Sequence, residues 1–309
     1  APRLRAVADA LVVDGQPPSV QIDRLRRLVD LLDARRNQLF IPFAGLLLWT
    51  TQFGLALAAW RARCGPAIGR WVQAVAELEA LLSLAQHAFE HPGDPFPEVV
   101  ADGPVFDGLG LAHPLLATDR AVRNDLCLDA SRQLLVVSGS NMSGKSTMLR
   151  TVGANVVLAM AGGTVRAERL RLSPLAIGAS IRVTDSLLDG RSRFYAEILR
   201  LRAIVEHART APPLLFLLDE ILHGTNSHDR LIGAEAVVRS LLAEHAIGLV
   251  TTHDLALAAL PDGLGPVAAN VHFADQLVDG QLVFDYRMHP GVVTHSNALA
   301  LMRAVGIAV

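Results

Sequence analysis

Hydrophobic positions in the first ninety residues recur at helical spacing. Ile22, Leu25, Val29 and Leu32 make one stripe, and Val72, Val75, Leu78, Leu81 and Leu82 make another. Steps of three and four residues put such side chains on one helix face. Cys64-Gly65-Pro66, lying between the stripes, predicts a break, because proline removes a helical hydrogen bond and its ring collides with the preceding turn. Residues 37–60 carry no charge and are long enough to span a bilayer. Pro42, Gly45, Thr50, Thr51, Gln52 and Gly54 interrupt them, and Phe40, Phe43, Trp49 and Phe53 are not confined to the ends. The reading preferred on these grounds is a helix buried in a protein core.

The pattern changes between His91 and Pro114, where five prolines and four glycines exclude a helix and predict a domain boundary near residue 95. Beyond it, Leu134 to Ser138, Leu214 to Leu218 and Ile247 to Thr251 are short apolar runs without polar alternation, as in strands buried on both faces. Thr147 to Met160, Ser192 to Arg209 and Asp229 to Glu244 read as helices between them. Asp279-Gly280, flanked by Val271 to Phe273 and Leu282 to Tyr286, predicts a hairpin. The expected fold is an all-α domain over 1–95, followed over 96–309 by an α/β domain. Its sheet should be mostly parallel, with helices on both faces and some antiparallel strands.

Composition narrows the classes. With 309 residues, 51% of them apolar, and a formal net charge of -2, the chain is neither disordered nor a protein that coats nucleic acid with its whole surface. A local strip remains open: Arg24 to Arg70 holds eight arginines against Asp30 and Asp33. Such a strip can meet phosphates, or it can be the solvated face of packed helices. Two cysteines, Cys64 and Cys127, give neither a disulfide framework nor metal-ligand spacing, so a reducing, cytoplasmic setting is expected.

Candidate chemistry begins directly after the first buried strand. Gly139-Ser140-Asn141-Met142-Ser143-Gly144-Lys145-Ser146-Thr147 satisfies GxxxxGK[ST], with a strand before it and a helix after. The glycines let successive N–H groups turn inward around phosphates, and the helix N-terminus adds its positive dipole end. Lys145 is expected to reach the β- and γ-phosphates of ATP, and Ser146 to offer its hydroxyl to Mg²⁺. Lys145 is also the only lysine beside 27 arginines, which suits a place where a compact ammonium is needed. Leu214 to Leu218 ends in Asp219-Glu220; the expected roles are Mg²⁺ binding for Asp219 and general base for Glu220. His253, after the third apolar run, can hydrogen-bond the γ-phosphate or the attacking water.

These motifs, in this order, resemble one family, the MutS-like ATPases of DNA mismatch repair, a branch of the ABC-type nucleotidases. The resemblance runs from about Pro95 to the end. Asn141-Met142-Ser143-Gly144-Lys145-Ser146-Thr147 is similar to the family's phosphate loop, Leu218-Asp219-Glu220-Ile221 with Gly224-Thr225 and Asp229 to its Walker B region, and Thr252-His253 to its switch histidine. Asp189-Gly190-Arg191-Ser192-Arg193-Phe194 with Glu197 is similar to its signature segment, which implies a homodimer in which Ser192 caps the partner's γ-phosphate. His113-Pro114 and Asn124-Asp125 resemble the lead into the ATPase strand. The chain departs at Ala121 and Val122, where the family commonly stacks an aromatic on adenine, so the base contact stays open. The resemblance implies a shortened helical lever over 1–95, DNA as the partner, and ATP closure as the mechanical step. The alternative output is an ABC-type ATPase coupled to a protein or membrane-associated partner, with 37–60 in or near a bilayer at the cytoplasmic face.

Overall fold

A computed structural model describes residues 2–37, 40–181, 193–278 and 281–293. The chain divides into two compact units, Ala1–His87 and Ala88–Val309.

The first unit is helical: α1 (Pro2–Leu11), α2 (Pro18–Asp33), α3 (Ile41–Leu46) and α4 (Trp49–Glu90), whose last turn runs past the division. Here the expected break fails, because α4 continues through Pro66. The proline costs about 3 kcal/mol in a helix interior, but it sits between side chains that pack inward on either side. Trp60, Cys64, Ala67 and Trp71 are buried together against Leu11, Val13, Leu25 and Leu28. Gln21, buried on α2, receives the Cys64 thiol on its side chain at 3.5 Å, while its carbonyl accepts the Trp60 indole N–H at 3.0 Å.

This buried stripe is not the leucine stripe of the sequence reading: Val72, Val75 and Leu82 are exposed. The expectation of a buried helix over 37–60 is likewise corrected. Ile41, Phe43, Leu46, Leu47, Leu48 and Leu55 are exposed, Leu46 to 83%. Uncharged side chains leave water only where a neighbour covers them, and in this stretch Phe40, Trp49 and Phe53 contact one another. Trp49 meets Phe40 at 5.0 Å and Phe53 at 4.5 Å between ring centroids. No helix among the described residues is long and apolar enough to cross a membrane.

The second unit holds two sheets. β4 (Leu134–Ser138), β6 (Ala176–Ser180), β7 (Leu214–Asp219), β8 (Ile247–Thr252), β9 (Ala268–Val278) and β10 (Gln281–Pro290) form one, in the order β10-β9-β4-β8-β7-β6. All its pairings are parallel except β9 with β10, the expected hairpin, whose Asp279-Gly280 turn lies outside the described residues. Side chains along the central strands alternate between two cores. Leu135, Val137, Leu215, Leu217 and Leu249 face α5 (Lys145–Met160), whereas Leu134, Val136, Phe216, Leu218 and Val250 face α6 (Arg193–His207) and α7 (Ser227–Ala243). That two-sided burial is why the runs are apolar without alternation.

The smaller sheet, in the order β1-β5-β2-β3, is built from β1 (Glu98–Val99), β2 (Phe106–Leu111), β3 (Asn124–Leu128) and β5 (Arg169–Leu172). It joins the α5 core through Phe106, Leu126, Leu128, Leu170 and Leu172. A one-turn helix, α8 (Leu255–Ala258), follows β8.

Candidate active site

The carboxyl ends of β4, β8 and β7 lie side by side, with Ser138 opposite Thr252 and Asp219 opposite Thr251. The three expected motifs leave the sheet from these ends, so their meeting is a consequence of topology. Gly139 and Gly144 take positive φ of 149° and 112° at either end of the loop. A side chain on Gly139 would press within 2.9 Å of the Phe273 carbonyl, so the loop closes this tightly only with glycine there. Met142 adopts φ +68° and is 84% exposed, and Asn141 is exposed too. Ser143 is buried, and the buried hydroxyls of Ser140 and Ser143 have no hydrogen-bond partner among the described residues. Thr147 is exposed on the first turn of α5 and lines the neighbouring cavity.

Lys145 is 4% exposed. Its ammonium donates to the carbonyls of Gly139 and Ser140, both at 2.8 Å, and lies 3.4 Å from Glu220 Oε1. Ser146 Oγ donates to Asp219 Oδ1 at 3.0 Å. This pair of hard oxygens, an alcohol beside a carboxylate, fits a small divalent cation that keeps most of its shell as water or phosphate oxygen. Asp219 Oδ1 also accepts the Thr251 hydroxyl at 2.6 Å, and Thr251 Oγ1 accepts the Glu220 N–H at 3.1 Å.

Glu220 leaves the strand with φ +47°, and Leu222 follows at φ +60°. Left-handed backbone costs a non-glycine residue about 1–2 kcal/mol. Glu197, assigned to the signature segment, holds this turn: it is buried on α6 and its Oε1 accepts the Leu222 N–H at 2.9 Å. Three side-chain nitrogens lie within 3.4 Å of the Glu220 carboxylate oxygens. Lys145 and His253 Nδ1 (3.2 Å) address Oε1, and His223 Nε2 (3.3 Å) addresses Oε2. Burial pushes the Glu220 carboxyl pKa up, but the His253 hydrogen bond and the positive charge of Lys145 outweigh it and hold the group below the ordinary glutamate value. A carboxylate kept ionised within reach of an ammonium, an imidazole and a cation-fitting oxygen pair can orient and deprotonate water. Ser192 lies outside the described residues, as does the rest of 182–192.

A cavity of about 290 Å³ adjoins the loop, lined among others by His113, Val122, Asn124, Thr147, Phe273 and Tyr286. Val122 lines it, and the cavity's aromatic side chains include Phe273 and, on β10, Tyr286, whose ring would stand 3.4 Å from a side chain on Gly144. Asn124 holds it: its amide donates to the Tyr286 carbonyl at 3.0 Å and accepts the Met288 N–H at 2.7 Å, where the β9–β10 register shifts. Asp125 accepts the Gly110 N–H at 2.7 Å.

Sequence reading passed over Tyr286, Thr251 and His223. No local signal marks Tyr286, whose partner Asn124 lies 162 positions away; the available signal for Thr251 is a hydroxyl inside an otherwise apolar run, which must find a partner when buried.

The family model of MutS domain V matches residues 135–308. The DNA mismatch repair protein MutS 1 from each of two strains of Halobacterium salinarum is 38% identical over 242 residues, covering 76% of this chain and 27% of the relative. The chain thus spans about a quarter of the length of those curated relatives. With the phosphate loop, the acidic strand end and the histidine all inside the matched region, the chain belongs to the MutS domain V family.

Proposed function

We propose that residues 96–309 act as a Mg²⁺-dependent ATPase of the MutS, ABC-like type, with 1–95 as a shortened helical lever. The observation that carries the reading is the convergence of Lys145, Ser146, Asp219, Glu220 and His253 within contact distance at one end of the sheet. On ATP binding, Lys145 exchanges the Gly139 and Ser140 carbonyls for β- and γ-phosphate oxygens, while the N–H groups of 140–147 wrap the phosphates. Ser146 and Asp219 hold the Mg²⁺, which when bound neutralises charge developing on the phosphate oxygens. Glu220 takes a proton from the attacking water, and His253 bonds the γ-phosphate. Tyr286 stacks on the base in place of the aromatic missing at Ala121 and Val122.

Ser192 belongs, in this reading, to the site of a second copy, so that a homodimer closes on two ATP molecules and moves the helical segments. The relatives are named for DNA mismatch repair, and DNA is the partner proposed here. The test is phosphate release with and without duplex, mismatched and branched DNA, across protein concentration. Expected are a specific activity that rises with concentration and with DNA, binding without turnover for Glu220→Gln, and loss of both for Lys145→Ala. Unchanged hydrolysis by Lys145→Ala would overturn the ATPase assignment, and a flat response to DNA would overturn the partner.

A further inference from the structure

His223 has no task in the reading above, yet it faces the reactive carboxylate. Its ring stacks on that of His253 at 4.9 Å and 17°, its Nε2 lies 3.3 Å from Glu220 Oε2, and its Nδ1 lies 3.4 Å from the Arg230 guanidinium. A guanidinium can only donate, so Nδ1 accepts, and the proton of the neutral ring sits on Nε2, the nitrogen 3.3 Å from Glu220 Oε2. Arg230 is fixed in turn by Asp254 at 3.0 Å. Asp254 follows His253 directly and caps α8 by accepting the Ala256 N–H at 3.0 Å. A chain of contacts therefore runs from the turn after β8 through α7 to the second oxygen of Glu220.

Glu220, His223 and His253 also present three ligand atoms within 4.8 Å of one another. Lys145 beside the same carboxylate and Arg230 on the other imidazole nitrogen already supply two fixed positive charges, which oppose a divalent cation there.

We propose that His223 is a positioning residue for Glu220, donating Nε2–H to Oε2, with Arg230 and Asp254 setting its tautomer and orientation. The proposal rests on the general-base reading of Glu220. Of the three nitrogens beside the carboxylate, Lys145 and His253 are the two that a γ-phosphate would draw away, and both address Oε1. His223 is the one left, and its Nε2 lies 3.3 Å from the opposite oxygen. Glu220 needs such a hold, since its backbone is left-handed and its side chain is only partly buried.

The experiment is steady-state ATP hydrolysis by the full chain carrying His223→Ala, His223→Gln, His223→Asn, Arg230→Ala, Glu220→Gln or the His223→Ala/Arg230→Ala pair. Thermal melts check that each variant folds. We expect His223→Ala to lower kcat about tenfold with KM for ATP unchanged, as for a misplaced base. Gln carries its amide N–H where Nε2–H stands and should restore most of the rate, whereas Asn, which imitates Nδ1, should not. Arg230→Ala should lower kcat alone but add nothing to His223→Ala. Wild-type kcat in His223→Ala, a loss confined to KM, or equal rates for Gln and Asn would overturn the positioning role. Hydrolysis retained by Glu220→Gln would instead overturn the general-base reading beneath it, so the two failures are distinguishable.

Discussion

Replacing Thr251 with valine isolates one hydroxyl at the centre of the site. Thr251 is fully buried, and valine keeps its branched shape while exchanging the hydroxyl for a methyl. The hydroxyl donates to Asp219 Oδ1 at 2.6 Å and accepts the Glu220 N–H at 3.1 Å. The Glu220 N–H keeps the Thr251 carbonyl at 3.2 Å, and Asp219 keeps the Ser146 hydroxyl at 3.0 Å, so neither group is left bare. The loss is then mainly one hydrogen bond to a charged acceptor, about 1.5–3 kcal/mol, plus a fraction of a shared neutral one. A total of roughly 2–3 kcal/mol lowers the melting temperature of a unit this size by roughly 4–12 °C, at roughly 2–4 °C per kcal/mol. Thermal unfolding followed by circular dichroism, for Thr251→Val beside Thr251→Ser, measures it. Serine restores the hydroxyl and should recover most of the difference. A valine variant within about 1 °C of the parent, or a serine variant as unstable as valine, would show that the hydroxyl does not tie the two strand ends together.

Three further outcomes follow from the same geometry. Tyr286→Ala should raise KM for ATP about tenfold with little change in kcat, and Tyr286→Phe should not, since a stacked base is worth about 1–3 kcal/mol; equal KM values would remove Tyr286 from the base site. Gly248→Ala should fail to give a stable fold, because its new methyl would collide with the Phe216 carbonyl of the paired strand, an atom that cannot yield without breaking the sheet. A soluble variant melting with the parent would contradict that packing. The Glu220 carboxyl lies below its ordinary pKa when folded, so its stabilising contribution is complete above the unfolded value and is lost as pH falls through the folded one. The melting-temperature gap between the parent and Glu220→Gln should therefore narrow on going from about pH 7 to about pH 3, and a gap that widens toward acid would reverse the sign.

What the amino-acid order discloses here is chemistry held by consecutive residues. Gly139 to Thr147 and Leu214 to Glu220 are legible because a phosphate loop and a buried strand ending in acid each need a fixed local pattern, and the sheet then brings their ends together. Residues that act across the fold are not legible in that way. Asn124 and Tyr286 meet although 162 positions separate them, and the pieces of the smaller sheet are two to six residues long and lie among glycines and prolines. Local rules also lose where packing opposes them. Pro66 reads as a break, yet Cys64 and Ala67 beside it are buried on one face of an unbroken helix, and the core they enter outweighs the missing hydrogen bond. The uncharged stretch fails in the opposite sense. Hydropathy records how strongly residues 37–60 favour leaving water, but burial also requires a surface to receive them, and α2 lends only part of one, as where its Leu31 carbonyl accepts the Trp49 indole N–H.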